Sequence, residues 1–338
     1  MSSSANYDPS AVGVKGSIFG LPFGENDASI VLLPVPWDAT VSYAAGTGNG
    51  PQAILNASAQ LDLEVVGQEA PWKQGIWMAP IDTEIRTKSQ ELRLLVEPYI
   101  DLLESGKAHP KAKEIITLVN AGTFALKEQI RNQTSAYINK GKVVGLVGGD
   151  HSCPLGYLEA LGEKHEDFGI LQIDAHMDLR EAYEGFENSH ASIMYNALKV
   201  PSVSKLVQVG IRDFCEEEMA VVKKDQRVVV YFDQELKWQQ FEGSTWQTLC
   251  KEMVAQLPDK VYVSFDIDGL QPSLCPGTGT PVPGGLAFEQ AVYLINQVKA
   301  SGRKIIGFDL CEVAPQDNDK EWNANVGARV LYALCGVV

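Results

Sequence analysis

The chain has 338 residues, 45% of them hydrophobic and 21% charged, and a net charge of −15 from 28 Lys plus Arg against 43 Asp plus Glu. That balance suits a globular protein with a sizeable core and excludes a disordered tail, a collagen-like chain and a disulfide-stapled mini-protein. The acidic surplus repels a nucleic-acid backbone with no Lys/Arg cluster to offset it, and no apolar stretch approaches the ~20 residues of a membrane helix, so neither nucleic acid nor membrane is an expected partner.

Residues 1–28 are rich in Gly, Ser and Pro and are expected to form an irregular arm, with a single domain running from 29 to 338. Met1 to Asn6 has neither a basic nor an apolar segment, so no secretory signal is expected. The first apolar, β-branched run is 30–35. Helical spacing of apolar residues follows over 88–104 and 110–140. Further strand candidates are 143–147, 169–173, 206–209, 228–231, 261–265 and 304–308, with a helix over 288–300 striped by Ala291, Leu294, Ile295 and Val298. Continuous apolar runs suit strands covered on both faces, and strand–helix alternation predicts a parallel sheet in a layered α/β sandwich. Cys153, Cys215, Cys250, Cys275, Cys311 and Cys335 contain no CxxC pair and are expected to be reduced thiols of a cytoplasmic protein.

Three of the strands end in chemistry. Residues 143–147 lead into Gly148-Gly149-Asp150-His151-Ser152, where glycines permit a sharp turn at the carboxyl end of the sheet. Residues 169–173 lead into Asp174-Ala175-His176-Met177-Asp178, whose alternation in an extended segment puts two carboxylates and an imidazole on one side. Residues 261–265 lead into Asp266-Ile267-Asp268-Gly269. Taken singly, each has a plain alternative: a buried hydrogen-bonded His, an ordinary Asp–His pair, a common loop Asp-x-Asp. Together they place His151, Asp174, His176, Asp178, Asp266 and Asp268 at one sheet edge. Six ligands exceed the needs of a single catalytic zinc and suit two divalent ions about 3.5 Å apart.

These motifs, in this order and spacing, resemble those of the ureohydrolase superfamily of arginases, agmatinases and relatives. The resemblance spans nearly the whole chain. It includes Pro276-Gly277-Thr278-Gly279-Thr280-Pro281, Gly284-Gly285 and Cys311-Glu312-Val313-Ala314-Pro315. It implies a three-layer α/β/α sandwich with a mainly parallel eight-stranded sheet (the arginase-like fold) and assembly as a homotrimer or homohexamer. It also implies one ion on His151, Asp174, Asp178 and Asp266 and a second on Asp174, His176, Asp266 and Asp268, with Asp174 and Asp266 shared. Mn(II) is the expected metal and Ni(II) the alternative. The implied reaction is attack of hydroxide on a guanidinium carbon, releasing urea and an amine. Asp178 would assist proton transfer, Glu312 would hold the guanidinium, and His190 in Ser189-His190-Ala191-Ser192 would relay a proton.

The segment Tyr183-Glu184-Gly185 followed by Ser189-His190-Ala191-Ser192 looks like the agmatinase branch, which makes agmatine, cleaved to putrescine and urea, the expected substrate. Arg180 stands where arginases carry an Asn that helps bind a carboxylate. Many agmatinases have an Arg-Pro-Gly-Ala-Arg-like segment after the first strand, and both arginines are missing from Ser42 to Pro51 here. Trp37, Tyr43 and Thr47 either narrow the pocket, with Tyr43 and Thr47 contacting substrate, or simply pack the loop, which keeps free guanidine, guanidinobutyrate, guanidinopropionate and arginine as alternatives. A catalytically silent, structural or regulatory subunit is the alternative of another class, and turnover by an Asp268→Ala variant separates it from an enzyme.

Overall fold

The computed structural model describes residues 7–338 except Ala11, Gly67 and Glu69; residues 1–6 of the expected arm lie outside the described residues. The seven apolar runs and one further short segment, β2, form eight strands, β1 (Ile30–Val35), β2 (Ile76–Met78), β3 (Val143–Gly148), β4 (Phe168–Ile173), β5 (Val203–Ile211), β6 (Val228–Phe232), β7 (Lys260–Asp266) and β8 (Lys304–Cys311). They form one sheet in the order β2-β1-β3-β8-β7-β4-β5-β6. Every pairing is parallel. Parallel strands need long crossovers, and these are mostly helical. The helices are α1 (Gly50–Ser58), α2 (Thr83–Glu104), α3 (Ala112–Asn139), α4 (Leu155–Lys164), α5 (Ile193–Ala197), α6 (Glu216–Lys224), α7 (Asp233–Phe241), α8 (Trp246–Ala255), α9 (Phe288–Ala300) and α10 (Trp322–Val337).

Successive strand residues point to opposite faces, so the central strands feed two separate cores. On one face Leu171, Ile173, Val207, Val209, Val261, Val263 and Phe265 pack with side chains of α1, α8, α9 and α10. On the other, Ile170, Leu206 and Tyr262 pack with side chains of α2, α3, α4 and α5. This is the three-layer sandwich that the resemblance implies. Helix α2 begins five residues before its apolar stripe suggests, because the Asp82 carboxylate accepts the free N–H groups of Glu84 and Ile85.

The described residues of the arm are irregular apart from a 3-10 turn at Ile18–Gly20, but they are not detached. Ile18, Phe19, Leu21 and Phe23 are buried. Phe19 packs edge-on to Tyr332 of α10 at 5.0 Å, and its N–H donates to Ser58 Oγ at 2.9 Å. Apolar side chains, not loop composition, decide where this segment lies.

The sheet order brings the carboxyl ends of β3, β8, β7 and β4 side by side. Gly149 makes this closeness possible: a Cβ there would stand 1.9 Å from the Trp37 carbonyl oxygen, so only glycine lets β3 turn against the end of β1.

Candidate metal centre and active site

All six expected metal-binding residues meet at that edge. His151 Nδ1 lies 3.1 Å from Asp174 Oδ2, 2.9 Å from Asp178 Oδ2 and 3.5 Å from Asp266 Oδ2. His176 Nδ1 lies 3.6 Å from Asp174 Oδ1 and 3.0 Å from Asp268 Oδ2. His151, Asp174 and Asp178 form one group that could hold a metal ion, and Asp174, His176 and Asp268 form another. Asp174 belongs to both, with one oxygen toward each histidine. Asp266 sits beside the first group through Oδ2, while its Oδ1 accepts the Asp268 N–H at 2.8 Å.

The local backbone differs from the expected strand alternation in two places. Asp178 reaches His151 from a left-handed conformation, φ 55°, which re-aims a side chain that a plain strand would direct elsewhere. Ile267–Gly269 is a 3-10 turn, so Asp266 and Asp268 converge through a turn and not through strand periodicity.

Three of the six are held by outer partners. Ser264 Oγ sits 2.9 Å from His151 Nε2, leaving Nδ1 for the site. Gln172 Nε2 donates to Asp174 Oδ2 at 2.8 Å and is itself set by Gln208, 2.6 Å from Gln172 Oε1. The Ala175 N–H donates to Asp268 Oδ1 at 3.0 Å. Outer partners of this kind orient metal-binding side chains.

Electrostatically the cluster calls for cations. Burial pushes Asp178 up to about 7, with Asp174 adding to the push, and burial with Asp268 and Asp174 drives Asp266 well above the usual carboxylate range. Burial disfavours a charged His176, yet Asp268 and Asp174 overcome it and hold the ring at about 12. His151 Nδ1 is buried, close to three carboxylates, and aligned in a hydrogen bond with none. An imidazole nitrogen left free among buried carboxylates fits divalent ions, whose charge settles such a cluster.

Above this floor lies a cavity of about 190 Å³. It is smaller than the ~300–1,000 Å³ of drug-sized ligand sites, which suits a compact substrate. Its walls include Asp178, His190, Glu312, Ser42, Arg180, Tyr183, Asp213, Phe214 and Thr280. Glu312, directly after β8, is left-handed at φ 66°. Its Oε1 accepts the His151 N–H at 2.9 Å, while Oε2 is buried without a partner. Burial, then Asp150, pushes its pKa well up. His190 lies edge-on to Tyr183 at 5.7 Å with its Nδ1 buried and unpartnered. Burial, then His176 and His151, lowers its pKa to about 3, so the ring is neutral at pH 7.

The expected substrate contacts on the first loop need correction. Tyr43 is 77% exposed, Thr47 is fully buried, and Trp37 is 1% exposed within the core beneath α2 and α3. None of the three lines the cavity; Ser42 is the contribution of that loop. Turning Ser42 inward sends its neighbour Tyr43 outward to solvent. Asp213, Phe214, Tyr183 and Thr280 are walls that sequence reasoning left unassigned. Asp213 carried a signal, an acidic residue two positions past the end of β5, as at the other strand ends.

Residues 28–336 match the Arginase family. The chain belongs to the arginase family. Among curated relatives it is 31% identical over 322 residues, 94% of each chain, to the N(1)-aminopropylagmatine ureohydrolase of Thermus thermophilus. It is 30% identical over 294 residues, 86% of this chain and 82% of the relative, to the N(1)-aminopropylagmatine ureohydrolase of Synechocystis sp.. Among solved structures, the agmatine ureohydrolase of Thermoplasma volcanium matches with a TM-score of 0.71 at 21% identity, covering 99% of this chain and 96% of that one. This arginase-family chain is a hydrolase for guanidino compounds. No helix among the described residues is long and apolar enough to cross a membrane.

Proposed function

We propose that the protein hydrolyses the guanidino group of agmatine or an N-alkylated agmatine, releasing urea and the corresponding di- or polyamine. The observation that carries this reading is a pair of His/Asp groups sharing Asp174 on the floor of a small acidic cavity. His151, Asp174, Asp178 and Asp266 would hold one divalent ion, and Asp174, His176, Asp266 and Asp268 the other, with Mn(II) as the metal and Ni(II) as the alternative. Such an ion pair lowers the pKa of a nearby water and stabilises charge that develops during reaction.

The chain's own groups do the rest. Glu312 Oε2, free of other partners, accepts a guanidinium N–H and fixes the plane of the substrate. A water oxygen adds to the guanidinium carbon, and the Asp178 carboxylate takes its proton. The C–N bond to the alkyl nitrogen breaks as that nitrogen takes up the proton held by Asp178, which His190, neutral at working pH, passes on. Asp213 at the mouth supplies a carboxylate for a distal ammonium, which favours a cationic tail. The names of the relatives support the same tail. Arg180, which also lines the cavity, supports the second reading, a guanidino acid such as guanidinobutyrate.

Urea release from agmatine, N1-aminopropylagmatine, arginine, guanidinobutyrate, guanidinopropionate and free guanidine, each after Mn(II) or Ni(II) loading, tests substrate and metal together. The highest kcat/KM on the agmatines supports the proposal, and the highest value on a guanidino acid replaces it. We further infer one catalytic domain over 29–338, supported by the single sheet and the family match. Assembly as a trimer or hexamer is supported by apolar side chains left open on α7, Phe241 at 81% and Trp238 at 54% exposure, and light scattering tests it. Six free thiols fit a cytoplasmic location, which fractionation would test.

A further inference from the structure

The backbone of His190 places its side chain but does not aim the ring. Local polar contacts fix that backbone. The Ser189 N–H donates to Ser192 Oγ at 2.9 Å, the Ser192 N–H donates to the Ser189 carbonyl at 3.1 Å, and the Arg180 N–H donates to the Ala191 carbonyl at 3.1 Å. The χ2 torsion of a histidine is broad, so a fixed backbone leaves the imidazole free to turn. A working imidazole is ordinarily aimed by a hydrogen bond at one of its nitrogens. His151 follows that rule, with Nε2 facing Ser264 Oγ at 2.9 Å. His190 does not: its Nδ1 is buried without a partner, and no hydrogen bond reaches its ring among the described residues.

Tyr183 lies against the ring instead. The two rings meet edge-on, centroids 5.7 Å apart and planes at 86°, and Tyr183 is the one aromatic ring in contact with His190 among the described residues. Tyr183 is itself firmly held. Its backbone exchanges hydrogen bonds of 3.1 and 2.8 Å with Phe186 around Glu184 and Gly185, both with positive φ. Tyr99 of α2 donates to the Glu184 carbonyl at 2.8 Å. Asn120 of α3 donates to the Gly185 carbonyl at 3.3 Å and accepts the Glu187 N–H at 3.0 Å. Phe186 is fully buried and packs edge-on to Tyr99 at 5.7 Å, which anchors this hairpin to the core. The Arg180 guanidinium lies over the Tyr183 ring, its Cζ 5.0 Å from the centroid, a cation–π contact that holds the ring from its face. Arg180, Tyr183 and His190 are thus a row of packed side chains lining the cavity.

We propose that Tyr183 is a positioning residue that aims the His190 imidazole into the cavity, its ring doing by packing what a hydrogen bond does elsewhere. It acts through His190 and not on the reacting atoms. An aromatic edge suits a proton relay, because it orients the imidazole while leaving both nitrogens free to exchange protons. The effect on turnover rests on the reading that His190 passes a proton to the leaving nitrogen; the ring contact does not.

Urea release by the metal-loaded wild type, Tyr183→Leu, Tyr183→Phe, His190→Asn and the Tyr183→Leu/His190→Asn double variant, on the best guanidino substrate, isolates the coupling. An edge-on aromatic pair biases an orientation by up to about tenfold, so Tyr183→Leu should lower kcat about tenfold while KM changes less than about threefold. Tyr183→Phe keeps the ring and should stay within about threefold of wild type in both. In the His190→Asn background, Tyr183→Leu should change kcat less than about twofold, because no imidazole is left to aim. An equal loss in that background, an unchanged kcat in Tyr183→Leu, or a Tyr183→Phe variant as impaired as Tyr183→Leu overturns the proposal. Crystal structures of the metal-loaded wild type and Tyr183→Leu give a readout apart from activity: His190 should hold one ring orientation in the first and lose it in the second, and the same orientation in both overturns the proposal. If His190→Asn is as fast as wild type, or no guanidino compound is turned over, the functional reading fails, and the ring orientation still decides the role of Tyr183. If Tyr183→Leu does not fold, Tyr183→Met is judged by the same criteria.

Discussion

Gly279→Ala addresses the proposed grip on the guanidinium without touching any of the six residues proposed to hold metal. Gly279 lies in the loop after β7 and backs onto Glu312: a Cβ there would stand 2.8 Å from Glu312 Oε2. Its φ is not positive, so alanine fits the backbone itself. Ordinary contact begins near 3.4 Å, so Oε2 must retreat by about 0.6 Å. It has little room, because Oε1 is held by the His151 N–H at 2.9 Å. Losing one charge-assisted hydrogen bond to substrate costs ~1.5–3 kcal/mol, or ~10–150-fold in kcat/KM. Initial rates of urea release, with metal content measured on the same sample, are the assay. We expect the loss to fall mainly on KM, with metal content unchanged. Unaltered kinetics would refute the assignment of Oε2 to substrate, and a parallel loss of metal would place Glu312 among the metal-binding residues instead.

Three further predictions follow from the geometry. Asp174→Ala should lower bound metal from about two ions per chain to below one, measured by plasma mass spectrometry, because Asp174 belongs to both groups; full retention contradicts the shared position. Burial, then Glu104, raises Glu184 from its ordinary 4.5 to about 7. Between those values the folded chain keeps a proton that the unfolded chain has released, so this residue's contribution to stability falls as pH rises through that window. The Tm of Glu184→Gln relative to wild type should therefore be higher at pH 8 than at pH 4.5, and an equal offset at both contradicts this. Tyr43→Ala should leave kcat and KM within about twofold, since the ring points to solvent; a tenfold change in either would return Tyr43 to the site.

Strands buried on both faces read as unbroken apolar runs, which made seven of the eight legible. β2 has three residues, Ile76–Met78, too few for any period to show. α10 was missed for the opposite reason: most of Trp322–Val337 is buried, so it has no polar face to reveal a helix. The His/Asp floor of the cavity was legible because it concentrates charge where strands end. The walls were not, because Ser42, Tyr183, Asp213 and Thr280 meet only once the strand order is known. Placing β8 between β3 and β7 sets Glu312 against His151, a neighbourhood no local pattern encodes. Tyr43 and Thr47 went wrong because membership of a loop does not say which way a side chain turns.

The most direct test is product analysis of agmatine incubated with protein loaded with Mn(II), metal content being determined on the same sample. The account predicts equal amounts of urea and putrescine from protein holding about two ions per chain, and neither product after Asp268→Ala. Full metal occupancy without urea from agmatine or any other guanidino compound would contradict it.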